Sequence, residues 1–146
     1  MKIKQLSLFL ENKPGHLSSV CLTLANAGIN ILTLSMADTQ QFGILRLIVR
    51  DWEKAKTVLE QAGNVVNVTE VLATEIEDRP GGLAAVLKIV EAAKINVEYM
   101  YAFTFRNADK AIMFFRFDKP DEAVRVLEEK KINVIGPIEL YDRAEN

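Results

Sequence analysis

Two short segments carry most of the chemistry this sequence could perform. Glu11-Asn12-Lys13-Pro14-Gly15-His16-Leu17 and Glu77-Asp78-Arg79-Pro80-Gly81-Gly82-Leu83 each set a Pro-Gly turn just before an apolar run with helical spacing. The first N–H groups of a helix have no partner inside it. Their partial positive charge favours a carboxylate by roughly 0.3–1 kcal/mol when exposed. Gly15 and Gly81 lack a Cβ, so a ligand can come close to the backbone there. Asn30 and Asn96, in Ile29-Asn30-Ile31 and Ile95-Asn96-Val97, begin the strands that follow these helices. A carboxamide both donates and accepts, which suits the two charges of a zwitterion. Asn12 or Asp78 could accept from an ammonium, and His16, the single histidine, could meet a carboxylate. Each residue also has a local reading. Pro-Gly is an ordinary turn, Asn before a strand often satisfies nearby backbone groups, and His16 could be a solvated helix-start residue.

The elements that must position these groups come from a repeat. The two Pro-Gly segments lie 66 residues apart, and so do the two Asn tripeptides. Gly43-Ile44-Leu45 and Val58-Leu59-Glu60 find their matches, Ala111-Ile112-Met113 and Val126-Leu127-Glu128, at a separation of 68. The extra two residues fit the turn at Arg106-Asn107-Ala108-Asp109, where insertions are tolerated. In the first copy, Leu6, Leu8 and Leu10 alternate as a half-buried strand. Leu17, Val20, Cys21, Leu24 and Ala27 then share a helix face, with Cys21 expected in the core, and Gly28 can close that helix. Strands are predicted over Leu32–Met36 and Ile44–Val49. A helix follows, capped by Asp51, with Trp52 packed at its start, and the copy ends in a strand over Val65–Val68. The second copy predicts Leu72–Ile76, Leu83–Ala93, Val97–Thr104, Ala111–Phe117, a helix from Pro120 to Lys130, and a last strand over Val134–Leu140. The order βαββαβ, twice, is the split βαβ arrangement. The predicted class is α+β: two tandem ferredoxin-like units, residues 1–69 and 70–146, with antiparallel sheets joined side by side and helices on one face.

Composition narrows the function. Apolar residues make up 49% and charged residues 26%, which supports globular cores, and a net charge of −2 without a basic stripe argues against nucleic acid. No apolar run approaches a membrane span, and no signal-peptide pattern opens the chain, so a cytoplasmic protein is expected. One His and one Cys cannot make the usual metal sites, and no phosphate-binding glycine loop follows a strand. No catalytic set, metal or cofactor is therefore expected.

Acidic-x-Pro-Gly-x-Leu after a first strand, with Gly-Ile-Asn-Ile after the first helix, resembles the ACT domain. The matching segments are Asn12–Leu17 with Gly28–Ile31 and Asp78–Leu83 with Lys94–Val97. The resemblance covers nearly the whole chain, twice. It implies a regulatory pair that binds an amino acid between its domains and controls a metabolic enzyme. Carried over residue by residue, it implies ligand contacts at Asn12, Pro14, Gly15, His16, Leu17, Asn30, Ile31, Asp78, Pro80, Gly81, Gly82, Leu83, Asn96 and Val97. Asn12 stands where Asp is usual, and Lys94 replaces the glycine that closes the helix. The alternative is a regulatory subunit that acts on a metabolic enzyme by contact alone.

One patch separates the copies. Tyr99, Tyr101 and Phe103 alternate along one strand, and Ile112, Phe114 and Arg116 along the next, on the face opposite Met113, Phe115 and Phe117. Large apolar patches with aromatics and Arg mark interfaces. A homodimer through this face, or a client enzyme upon it, is expected. The alternative is that Leu140-Tyr141-Asp142-Arg143 folds over it.

Overall fold

The computed structural model describes residues 2–145, with the side chains of Thr39 and residues 104–107 excepted. In chain order the elements are β1 (Ile3–Glu11), α1 (His16–Asn26), β2 (Ile31–Thr39), β3 (Phe42–Val49), α2 (Trp52–Gln61) and β4 (Val66–Glu77). There follow α3 (Gly82–Ala92), β5 (Val97–Asn107), β6 (Lys110–Phe117), α4 (Pro120–Glu129), β7 (Val134–Ile135) and α5 (Pro137–Glu145). Chain contacts divide the molecule into two compact units. Lys4–Thr69 form the N-terminal unit, and Glu70–Asn146 with the first three residues form the C-terminal unit.

In the N-terminal unit the strand order is β2-β3-β1-β4. β1 and β3 run antiparallel, with Leu6 opposite Leu47 and Leu8 opposite Leu45. Residues directly opposite in such a pair share a face. Those leucines meet Val20 and Leu24 of α1 and Ala55 and Leu59 of α2 in one buried core, with Trp52 packed against it. The Asp51 side chain accepts from the Lys54 N–H and caps α2, as its sequence position predicts. Cys21 is half-buried rather than a core residue. Leu34 and Met36 lie on the core side, opposite Leu47 and Leu45. They sit on the edge strand and stay 44% exposed.

The C-terminal unit repeats the order, with β7 pairing β4, then β6, then β5. Leu72 faces Phe115 across β4 and β6. With Phe117, Val86, Val90 and Leu127 these form the second core. Met113 and Met100 join it, as their alternation predicts. The side taken by Thr104 lies outside the described residues.

Two boundaries differ from the sequence reading. Val65–Val68 and Leu72–Ile76, read as two strands, are one twelve-residue strand, β4. No glycine or proline interrupts Val66–Glu77, so nothing stops the strand between them. The predicted strand over Val134–Leu140 is only Val134–Ile135, after which α5 begins at Pro137. Gly136 breaks the strand, and proline suits a first helical turn, where its missing N–H is not needed.

That helix corrects the expected open aromatic face. Glu75 lies opposite Ile112 and Ala73 opposite Phe114, so all four share the face away from the α3–α4 core. Arg143 of α5 donates to Glu75 on that face, and Leu140 is fully buried. Phe103, Ile112 and Phe114 are buried inside the chain. Tyr101 stacks on Phe114, and Phe103 meets it edge-on. Tyr99, Tyr101 and Arg116 are half-buried, and the Arg116 guanidinium donates to the Glu70 carbonyl at 2.9 Å. Arg143 and Leu140 of the C-terminal segment lie toward this side of the sheet, which favours the alternative reading of a segment over the patch.

Candidate functional site

A cavity of about 300 Å³ lies wholly within the C-terminal unit. Its position follows from the sheet. β7 begins only at Val134, which pairs with Thr74. The next link in this direction is the Glu75 N–H donating to the Asn133 carbonyl. Past that point the last residues of β4, Ile76 and Glu77, pair with Ala111 and Lys110 of β6 on one side and have no β7 residue beside them on the other. The Asp78 N–H donates to the Asp109 carbonyl. By ladder alternation, the backbone groups of Glu77 therefore turn the other way, toward the cavity. The opposite wall is the start of α3, at Gly81, Gly82, Ala85 and Val86, and Lys110, Lys131, Ile132 and Asn133 complete the rim.

The helix mouth is shaped by its two glycines. Gly81 has φ 87°, the left-handed conformation that favours glycine, and no side chain caps α3. Gly82 is buried, and a Cβ there would stand 1.9 Å from the Glu77 carbonyl oxygen. The glycine pair lets α3 start directly against the end of β4. The N-terminal unit repeats the left-handed glycine, Gly15 at φ 93°, but carries His16 where Gly82 stands. Pro14, Gly15, His16 and Leu17 are all exposed there.

Charge is concentrated at the second turn. Glu77 pairs with Arg79 and, at 3.7 Å, with Lys110. The hydrogen bond from Arg79 and its charge, with a smaller contribution from Lys110, hold the Glu77 carboxyl below its ordinary value of 4.5. Lys131 has no ion-pair partner among the described residues. It sits at φ 61° where the first copy has Gly63 at φ 95°. Glu75 accepts from Asn133 Nδ2 and from Arg143 Nη2, both at Oε1. At the positions matching Glu75, Lys110 and Asn133, the first copy has Phe9, Phe42 and Val65, exposed by 63%, 47% and 75%. The two copies share a backbone plan, and only the second surrounds the helix mouth with cations. Repeat comparison could have found Lys110, Lys131 and Asn133 as polar replacements, but motif reading alone gave them no weight.

The structure brings Gly81 and Gly82 to the cavity, with Pro80 in the turn that leads to them. Leu83 and Val97 pack against the second core, and Ile31 against the first. Asn12 is tied locally: its N–H donates to the Gln41 carbonyl and its Nδ2 to the Gln40 carbonyl at 3.5 Å. Asn30 and Asn96 are exposed at the far ends of α1 and α3. An eleven-residue helix spans roughly 16 Å, so neither carboxamide reaches the helix mouth of its own unit. The Asn96 N–H donates to Asp118 Oδ1 at 2.9 Å, and the Asp118 N–H donates back to the Asn96 carbonyl, tying the start of β5 to the end of β6. No group of His, Cys, Asp and Glu suited to a metal ion occurs among the described residues. No helix among them is long and apolar enough to cross a membrane.

Comparison with known proteins agrees with this arrangement. Protein BT0572 from Bacteroides thetaiotaomicron has a solved structure similar to this chain. It shows 40% identity over 97% of this chain and 96% of that one, with a TM-score of 0.90. The fold is also similar to the ligand-free regulatory subunit of aspartate kinase from Thermus thermophilus, at 16% identity, 86% and 91% coverage and a TM-score of 0.64. The acetolactate synthase small subunit of Buchnera aphidicola subsp. Baizongia pistaciae (strain Bp) is 36% identical over 82 residues, 53% of this chain. The chain spans about half the length of that curated relative. Residues 1–143 match the ACT domain pair family as a unit, and with the duplicated βαββαβ order and its two glycine-started helices this makes the chain a member of that family.

Proposed function

We propose that this protein is a non-catalytic regulator that binds a free amino acid in the cavity of its C-terminal unit and passes the signal to a metabolic enzyme. The observation that carries the reading is the meeting, in one hollow, of an unpaired strand edge, an uncapped helix mouth and an unpaired lysine. The ligand carboxylate takes the α3 amides and Lys131. The ammonium takes the Glu77 carbonyl edge or Glu75. A volume of about 300 Å³ sits at the lower end of the roughly 300–1,000 Å³ of ligand pockets, the size of an amino acid rather than a dinucleotide. Three cations against two carboxylates favour a ligand with an acidic side chain. Isothermal calorimetry with each of the twenty amino acids tests this. Saturable heat from L-aspartate or L-glutamate that is lost in Lys131→Ala supports it, and silence from all twenty sinks it.

The related acetolactate synthase small subunit favours a second reading, regulation by contact with a catalytic partner. The exposed Phe9, Phe42 and Val65 supply an apolar surface for that contact. Co-purification of a catalytic subunit together with calorimetric silence would favour this reading over the first.

A further inference from the structure

Glu75 belongs to two places at once. The residue borders the cavity, and its carboxylate accepts from Asn133 Nδ2 on the rim. The same oxygen, Oε1, also accepts from Arg143 Nη2 of α5 at 3.1 Å. Arg143 has a second partner on its own helix, Glu139, so it can leave Glu75 without becoming unpaired. Its Nη1 is already buried without a hydrogen-bond partner, so the guanidinium is incompletely satisfied where it stands. Leu140 is the described apolar anchor of α5, and Ile112 and Phe114 share the sheet face of Glu75.

We infer that α5 is a latch released by a cation in the cavity. This rests on the cavity being an amino-acid site, and it assigns that site a consequence. A ligand ammonium beside Asn133 competes with Arg143 for one carboxylate and repels the guanidinium. Arg143 then turns to Glu139, and α5 keeps Leu140 but loses its tie to β4. A short helix held by few anchors belongs to the low-stability part of a fold, where one interaction shifts the opening equilibrium measurably. Occupancy of the cavity is thereby converted into exposure of the aromatic sheet face.

The latch can be tested without ligand. Asn133→Lys places an ammonium on the cavity side of Glu75, and Asn133 is exposed, so the substitution disturbs no core. Hydrogen–deuterium exchange of the α5 amides should quicken roughly tenfold in Asn133→Lys and in Arg143→Ala, the scale of losing one charge-assisted hydrogen bond. Exchange in α1 and α2 should not change. Glu75→Gln should loosen α5 by itself, and adding Asn133→Lys to it should add nothing. Unchanged α5 exchange in Asn133→Lys overturns the latch, whether or not Arg143→Ala quickens it. So does full additivity with Glu75→Gln. If Asn133→Lys loosens α1 and α2 as well, the Glu75→Gln and Arg143→Ala variants decide: α5 must quicken in both. Because calorimetry tests the amino-acid site and ligand-free exchange tests the latch, either can fail alone.

Discussion

Gly82 and the Glu77 carbonyl oxygen are in such close approach that a Cβ on Gly82 would stand 1.9 Å from that oxygen. The obstacle is backbone, which cannot rotate aside as a side chain would. Gly82→Ala should therefore push α3 off β4 and cost about 3 kcal/mol, the upper range for overpacking. Gly136→Ala, with nothing within 4 Å of its Cβ, should change stability by less than about 0.5 kcal/mol. Urea unfolding of both variants checks the contrast, and equal midpoints would refute the close packing of α3 on β4.

Lys131 is the cavity cation with no ion-pair partner among the described residues. Lys131→Ala should weaken L-aspartate binding about tenfold, the loss of one hydrogen bond to a charged group. It should leave folding close to unchanged, since alanine keeps the Cβ that the left-handed conformation disfavours. Lys131→Gly should stabilise, because glycine takes that conformation freely, as Gly63 does at the matching place. Calorimetry and thermal unfolding on the same samples separate the two effects.

The outer sheet faces of the two units should respond oppositely. Phe114 is fully buried, so Phe114→Ala should cost about 3–5 kcal/mol. Phe9 is mostly exposed, so Phe9→Ser should fall within about 0.5 kcal/mol of the parent. If Phe9→Ser proves strongly destabilising at high protein concentration and neutral on dilution, the N-terminal face is a self-association surface. Size-exclusion chromatography over a dilution series reads this directly.

Acid should act through the two turn carboxylates. Glu77 is held below 4.5 by Arg79, and Glu11 by the hydrogen bond and charge of Lys13. A carboxylate with a depressed folded pKa adds stability above its unfolded value and loses it as pH falls through the folded one. Stability should hold down to the ordinary carboxylate range and decline below it. Glu77→Gln should flatten that acid limb. Both side chains are open to solvent over nearly half their surface, so salt should weaken the effect. Urea midpoints between about pH 5 and about pH 3 test the sign.

Much of this fold was legible because its signals are local. Alternation in Leu6–Leu10, the cap at Asp51, Pro120 at a first turn and the glycine-started helices each depend on residues a few positions apart. The split of Val134–Leu140 into β7 and α5 was marked by Gly136-Pro137, a breaker that the apolar run disguised. The aromatic face failed for a different reason. Alternation correctly placed Ile112 and Phe114 away from the helices, yet it cannot report that a later segment returns to cover them. The cavity was half legible. Gly81 and Gly82 announce themselves as a motif, whereas Glu75, Lys110 and the Lys131–Asn133 segment arrive from three separate places in the chain. Their charge has meaning only when the strand ends are brought together. Asn30 and Asn96, which recur at matching positions, stand at the wrong end of each helix to serve their own unit's turn, because recurrence reports shared geometry and not shared proximity.

The late start of β7 has a consequence of its own. A hollow made by one strand beginning two or three residues after its neighbour ends is a gap in the weave, and such gaps can be darned. Re-registering Lys131–Asn133 as strand would give Ile76 and Glu77 partners on the side away from β6 and leave no room for a guest. Receptivity in this unit is therefore a matter of where a helix hands over to a strand, and a shift of a single turn in α4 would be enough to open or abolish it.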